Sequence, residues 1–241
     1  MSSPSRFLSG VATVDTQYPL GQYPFPDPFH TSGSSTLHST TYSNDFFTVG
    51  STTLDWTITG TSSTFGITDG LGGVALVTPG GASTVTTVAG AHNGFQFISG
   101  NKFWYLCRIK PNAVSGTKAF LFGLQTGTSA ASTDGLWFVK PASSTSINLV
   151  SRVNSTSTTL VTGLETAVAG EWIDVAFYFD GSDILVYNED ALVARVSAPT
   201  IGSTGTTLTN ALLTPVFQTT PTATTDTLSI DYVLAAGEIL R

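Results

Sequence analysis

Apolar and polar residues alternate with a period of two along much of the chain, most cleanly between Glu171 and Asp180. In "EWIDVAFYFD", Ile173, Val175, Phe177 and Phe179 fall on one face, and Trp172, Asp174, Ala176 and Tyr178 on the other. That period belongs to a β-strand. "GSD" then reverses the chain, "ILVYN" follows, and "ED" leads into "ALVARVS". The three segments predict an antiparallel meander. "KFWYLCRIK" and "KAFLFGLQ", joined by "PNAVSGT", predict a further pair, and "DGLWFVK" with "INLVSRV", joined by "PASSTS", another. "TLSIDYVLA" predicts the last strand, with Leu228, Ile230, Tyr232 and Leu234 inward. "LDWTITG", "GVALVT" and "FQFIS" give weaker strands. The Ser/Thr-rich "TGTSST", "STSTT" and "TTPTATT" read as loops, and "TNALLTP" as one helical turn at most. About a dozen short strands between turn signals predict an all-β antiparallel sandwich.

Several strands are apolar on both faces. Phe103, Tyr105, Cys107 and Ile109 alternate with Trp104, Leu106 and Arg108, and Leu136 and Phe138 with Trp137 and Val139. A two-sheet sandwich needs only one apolar face per strand. The second face therefore requires a cover: an arm of the chain, another subunit or a ligand. Trp104, Trp137, Trp172, Tyr178 and Tyr187 are the outward aromatics. They fit a packed interface and a sugar-stacking surface alike.

The pattern changes toward the N-terminus. Residues 1–45 hold five of the eleven prolines and no sustained alternation, so the chain divides into an extended arm (1–45) and a sandwich domain (46–241). Within the arm, "QYPLGQYPFPDPF" (Gln17 to Phe29) packs four prolines and four rings around one acid. Proline fixes φ and removes the amide donor, which excludes a helix or a central strand. The rings exclude a merely solvated linker. Such a stretch is a docking arm, with Arg6, Phe7, Tyr18, Tyr23, Phe25 and Phe29 as its candidate anchors. Fully extended, it could reach on the order of 150 Å.

Composition narrows the function. The chain has 241 residues, 27 of them Ser and 40 Thr, and only 10% are charged. Solubility thus rests on hydroxyls, and threonine's branched Cβ suits strands. Net charge is −7, and the only basic residues before Arg108 are Arg6 and Lys102. No basic stripe is available for nucleic acid or for an anionic membrane surface. The single cysteine, Cys107, allows no internal disulfide and reads as a buried small hydrophobe. The charge-free run from Gly70 to Asn101 is broken by Gly, Pro and Thr and does not read as a membrane span. "MSSPSRFLSGVATV" lacks an apolar signal region, so synthesis in the cytoplasm is expected.

Candidate chemistry is sparse. His30, His38 and His92 are the only histidines, and none has a second histidine at ligand spacing, so no metal site is expected. No G-x-S-x-G elbow is present. Paired carboxylates would have to share a strand face. Glu171 and Asp174 are three apart, and Asp226 and Asp231 five apart, so each pair points to opposite faces. "DGSD" and "NED" read as hairpin turns rather than calcium loops. No catalytic residue and no cofactor are expected.

Two resemblances complete the reading. "GEWIDVAFYFDGSDILVYNEDALVARVS" resembles the sheet core of concanavalin A-like sandwiches, including laminin-G-like modules, which implies a jelly-roll sandwich. There the second turn usually carries Asp-Gly; here it is Glu189-Asp190. Along nearly the whole chain the order of features is similar to a family of tailed-phage structural proteins. The matching segments are "RFLSGVATV" from Arg6, "PLG" from Pro19, "PDPF" from Pro26, "NDFF" from Asn44 and "DWTIT" from Asp55. "DGLGGVALVT", "KFWYLCRIK", "LFGLQ" and "SIDYVLAAGEILR" follow. This resemblance implies a virion protein that decorates the outside of the capsid, bound to the major capsid protein, often as a homotrimer. A lectin-like module on a head fibre or tail adhesin is the alternative.

Overall fold

The computed structural model describes residues 37–46, 55–68, 73–114, 117–223 and 225–240. Among these, every regular element is a strand. In chain order they are β1 (Leu37–Asn44), β2 (Trp56–Thr59), β3 (Thr64–Thr68), β4 (Val74–Thr78), β5 (Thr86–Gly90) and β6 (Phe103–Pro111). Next come β7 (Ala119–Gln125), β8 (Gly135–Lys140), β9 (Ser146–Val153), β10 (Thr156–Thr166), β11 (Ile173–Phe179) and β12 (Ile184–Asn188). The last are β13 (Ala191–Val196), β14 (Ile201–Gly202), β15 (Leu208–Thr209), β16 (Thr214–Thr220) and β17 (Leu228–Leu240).

Two large antiparallel sheets form a sandwich. The first runs β13-β12-β11-β6-β17-β4-β3, and β1 pairs with the far half of β17. The second runs β10-β9-β8-β7-β16-β5-β2. β14 and β15 form a small parallel pair. The expected meander is β11-β12-β13. Its second turn is a two-residue loop that places Glu189 at φ 52° in the position Asp or Gly usually takes. β8 and β9 pair as expected.

The layers meet in one aromatic core. Phe177 of β11 stacks on Tyr105 at 5.3 Å and on Phe103 at 6.0 Å within its own sheet. Across the layers it meets Phe138 of β8 at 6.1 Å, and Phe97 closes the cluster at 6.2 Å. Trp56 sits at the other end, in contact with Phe46, Phe65 and Phe217. Cys107 is buried in this core, and burial raises its thiol pKa well above the ordinary value.

Several sequence expectations are corrected. "KFWYLCRIK" and "KAFLFGLQ" are not a pair: β6 lies in the first sheet and β7 in the second, so the connection crosses between layers. "FQFIS" is not a strand; Phe95 makes one bridge to Leu213. "STSTT" is not a loop, because residues 156–159 begin β10, entered through a turn with Asn154 and Ser155 both at positive φ. "TNALLTP" makes no helical turn, and Thr214 already begins β16. Residues Leu37–Asn44, within the stretch read as arm, are extended and pair with β17.

The most informative correction concerns β17. Leu228 and Ile230 face the core as expected, but Tyr232 and Leu234 do not; Val233 and Ala235 take their place. The register shifts between Ile230 and Tyr232, leaving Asp231 as an extra residue opposite β6. One extra residue in a strand flips every later side chain.

Charged groups anchor the sandwich ends. Asp183, 5% exposed, accepts from the Ala198 amide at 2.7 Å and the Arg195 Nε at 2.6 Å. The Ala198 amide, with Arg195, holds its carboxyl below an ordinary aspartate's 3.8. Its contribution to stability is therefore complete above about pH 4 and is lost as pH falls through the lower folded value. Asp183→Asn is expected to cost about 1–3 kcal/mol at pH 7, with the difference from wild type shrinking in acid. Thermal unfolding of both proteins at pH 7 and pH 3 checks this; an equal difference at both would contradict it.

Candidate functional site

The outward aromatics do not form one surface. Trp104, Tyr178 and Tyr187 stand together on the outer face of the first sheet, Trp172 lies farther along that face, and Trp137 is on the outer face of the second sheet. The arm residues Arg6, Phe7, Tyr18, Tyr23, Phe25 and Phe29 lie outside the described residues.

Strand register explains the first grouping. Tyr178 of β11 is opposite Leu185 of β12 and Trp104 of β6, and Trp104 is opposite Ala236 of β17. The next outward row is Tyr187, Ala176, Leu106 and Leu234. The Trp104 and Tyr178 rings lie 4.8 Å apart. Trp104, Tyr178, Tyr187, Leu185, Ala176 and Ala236 are all 0–2% exposed, although they point away from the core.

Two residues farther along, the same face turns polar. Asp174 lies opposite Arg108, which lies opposite Tyr232. The Tyr232 hydroxyl donates to both Asp174 oxygens, at 2.8 and 2.9 Å. Arg108 Nη1 pairs with Asp231 at 2.9 Å. The β17 bulge builds this half, since it turns Tyr232 outward. Half-burial raises the Asp174 pKa, against the Tyr232 hydrogen bond and the Arg108 charge. Burial and the Asp174 charge raise that of Tyr232. Burial, then the charges of Glu189, Asp174 and Glu171, raise that of Glu165. Trp172 closes the patch, its ring centroid 5.0 Å from the Arg108 guanidinium and 4.6 Å from the Lys110 ammonium.

Sequence reasoning missed Asp174, Arg108, Asp231 and Tyr232 as a group. Asp174 and Arg108 share the outward parity of their strands, which was a usable signal; the bulge that adds Tyr232 leaves none. It also missed Lys140. That side chain follows Leu136 and Phe138 on the inner face, is fully buried, and donates to the Lys118 carbonyl. Burial, together with the Lys118 charge, lowers its pKa.

The outer face of the second sheet has a cover of its own. The Thr59 hydroxyl of β2 donates to the Thr128 carbonyl, so the β7–β8 connection spans three strands. The Gln125 amide donates to the Gly127 and Ser129 carbonyls, and Asn93 accepts from the Gly127 amide. Along this face Trp137 is 6% exposed, and Ala89 and Val216 are fully buried. Among the described residues no group of three or more His, Cys, Asp and Glu could hold a metal ion.

No family model and no curated protein matches the chain. Solved structures do. The chain is similar to peanut lectin crystallised with a nonamer peptide: TM-score 0.54, 12% identity, 85% of this chain and 100% of the lectin covered. It is similar to a Bacillus licheniformis β-glucanase: TM-score 0.57, 12% identity, 81% and 97% covered. It is also similar to the exoplasmic/lumenal domain of VIP36 in a form bound to Ca2+ and Man3GlcNAc: TM-score 0.55, 13% identity, 83% and 89% covered. At these identities the likeness shows the fold, a concanavalin A-like jelly-roll sandwich, and that fold serves both lectins and glycosidases.

Proposed function

We propose that this chain is a structural protein of a tailed-phage virion, bound to the major capsid protein on the outside of the shell as a homotrimer, and stabilising the head as a decoration protein. It acts through buried contact area and carries out no reaction. The supporting observation is the burial of its outward rings. Trp104, Trp137, Tyr178 and Tyr187 are 0–6% exposed, so they pack rather than present a face to a sugar. A stiff sandwich with a hydroxyl-rich surface suits a protein whose work is to sit on a lattice. The order of sequence features from Arg6 to the C-terminus, similar to that of a family of tailed-phage structural proteins, supports a phage capsid as that lattice.

The edge of the first sheet favours assembly. β13 ends that sheet, and its Leu192 and Val193 are 37% and 45% exposed. Adjacent exposed apolar residues on the last described strand of a sheet favour pairing with another chain. Co-sedimentation with undecorated capsids tests the reading. Saturable binding at a fixed ratio to the capsid protein is expected; an unbound chain at saturating concentration would overturn it.

One observation favours a second reading, a carbohydrate-binding module on a head fibre or tail adhesin. Trp172 is only partly buried and has Arg108, Lys110 and Asp174 around it, a ring flanked by polar groups of the kind that holds a sugar. A glycan array with the wild type and Trp172→Ala separates the two. Binding lost in the variant supports the module, and no binding at millimolar sugar removes it.

A further inference from the structure

At the polar end of the first sheet's outer face, one row of side chains crosses the sheet. Trp172, just before β11, has the ammonium of Lys110 of β6 over its ring; Lys110 lies opposite Ser229 of β17, and Ser229 opposite Leu76 of β4. All four are partly exposed, and the row ends opposite Leu76 at Gly66 of β3, where an added Cβ would meet nothing within 4 Å. We propose that this row, with Arg108 beside it, binds an acidic saccharide by its carboxylate, uronic-acid sugars being the ligand class. The inference rests on the second reading above, the carbohydrate-binding module, and names the kind of sugar it takes.

The cations of this patch are short of acceptors. The Tyr232 hydroxyl engages both oxygens of Asp174, and Asp231 is engaged by Arg108 Nη1. Lys110 has no carboxylate partner among the described residues. Arg108, its side chain 37% exposed, gives one N–H to Asp231 and has others to offer. Arg108 and Lys110 are two positions apart on β6, so they share a face at a backbone spacing of about 6.7 Å. Trp172 draws both toward one ring, the guanidinium 5.0 Å and the ammonium 4.6 Å from its centroid. A carboxylate carries two acceptor oxygens and takes a charge-assisted hydrogen bond from each cation across that gap.

The rest of the row favours a sugar as the bearer of that carboxylate. Trp172 and Leu76 bracket it with apolar area three strand spacings apart, about 14 Å. That is room for pyranose rings, whose C–H faces suit such surface. Ser229 lies between them and offers a hydroxyl to the ring hydroxyls. The remaining acids stand to one side. The charge of Glu171 bears on Glu165 of β10, and Glu189 and Asp190 form the β12–β13 turn, across β11 from Lys110.

An array carrying uronic-acid oligosaccharides, their methyl esters, neutral oligosaccharides and oligoglutamate, probed with the full-length chain, tests this. The esters keep rings and hydroxyls and lose the charge. Uronic-acid glycans are expected to bind, with half-saturation at least tenfold higher for their esters. Lys110→Gln should weaken the acid binding about tenfold and Lys110→Arg should keep it. Lys110 is partly exposed and holds no ion pair, so the thermal midpoint of Lys110→Gln should not move; if it does, the comparison of acid with ester on the wild type decides. Equal binding of acid and ester, or of neutral glycans alone, would overturn the inference and leave the carbohydrate reading standing. Binding of no glycan would overturn both. Acid binding unchanged in Lys110→Gln would overturn the inference, and so would oligoglutamate bound as tightly as the uronic acids, which would point to an acidic protein segment instead.

Discussion

Replacing Phe177 by alanine is expected to cost about 3–5 kcal/mol, the range for removing a large ring from a packed core. Phe177 is fully buried and touches Phe103 and Tyr105 on its own sheet, Phe138 on the facing sheet and Phe97 between them. The loss has two parts. The ring's transfer free energy disappears, and a cavity opens among four aromatics that also touch one another, Phe97 with Phe103 and Tyr105 with Phe138, and cannot collapse far. Phe177→Leu keeps most of the volume and should cost less than about 1.5 kcal/mol. Equilibrium unfolding in guanidinium checks both. An alanine variant with an unchanged midpoint would mean that the two layers are not locked together at this point.

The second large effect is at Gly123. This residue of β7 faces Trp137 of β8, and a Cβ built on it would lie 2.5 Å from the Trp137 Cα and 2.7 Å from its Cβ. Those atoms belong to the neighbouring strand and cannot swing aside as a side-chain tip would. Gly123→Ala must therefore push β7 and β8 apart in the middle of the second sheet. About 3 kcal/mol of destabilisation is expected from that overpacking. Gly66→Ala is the control: it lies on β3 with nothing within 4 Å of the added carbon. It should be neutral or slightly stabilising, because alanine leaves the unfolded chain fewer conformations to lose. Equal midpoints for the two variants would contradict the close approach at Gly123.

These two positions also show what the sequence made legible. The period of two in "EWIDVAFYFD" placed Phe177 inward without reference to any structure, and the turn residues after it gave the meander. Partnering between distant segments was harder. β6 and β7 are adjacent in sequence and equally apolar, and alternation says nothing about which sheet a strand joins. Nor does it announce a bulge. Asp231 looks like an ordinary outward residue of "TLSIDYVLA", yet as an extra residue it reverses everything after it and brings Tyr232 to Asp174. Hydroxyl-rich segments failed in the opposite sense. "STSTT" has turn composition, but on the exposed edge strand β10 threonine's branching is what counts.

Of the candidate site, the outward aromatics were legible as a class and their division was not. Parity alone put Trp104, Trp137, Trp172, Tyr178 and Tyr187 on outer faces. Only the strand order separates a packed cluster on one sheet, a single buried ring on the other, and a half-buried tryptophan between two cations. The expectation that a second apolar face needs a cover is met on the second sheet where the β7–β8 connection reaches across to β2.

Copy number in purified virions bears on the proposed role more sharply than any property of the isolated chain. Decoration of a symmetric shell requires the protein to follow the lattice, so quantitative mass spectrometry should find it at a fixed, simple ratio to the major capsid protein. A handful of copies per particle would contradict the decoration role and leave the tail or fibre reading in its place, and none would contradict both.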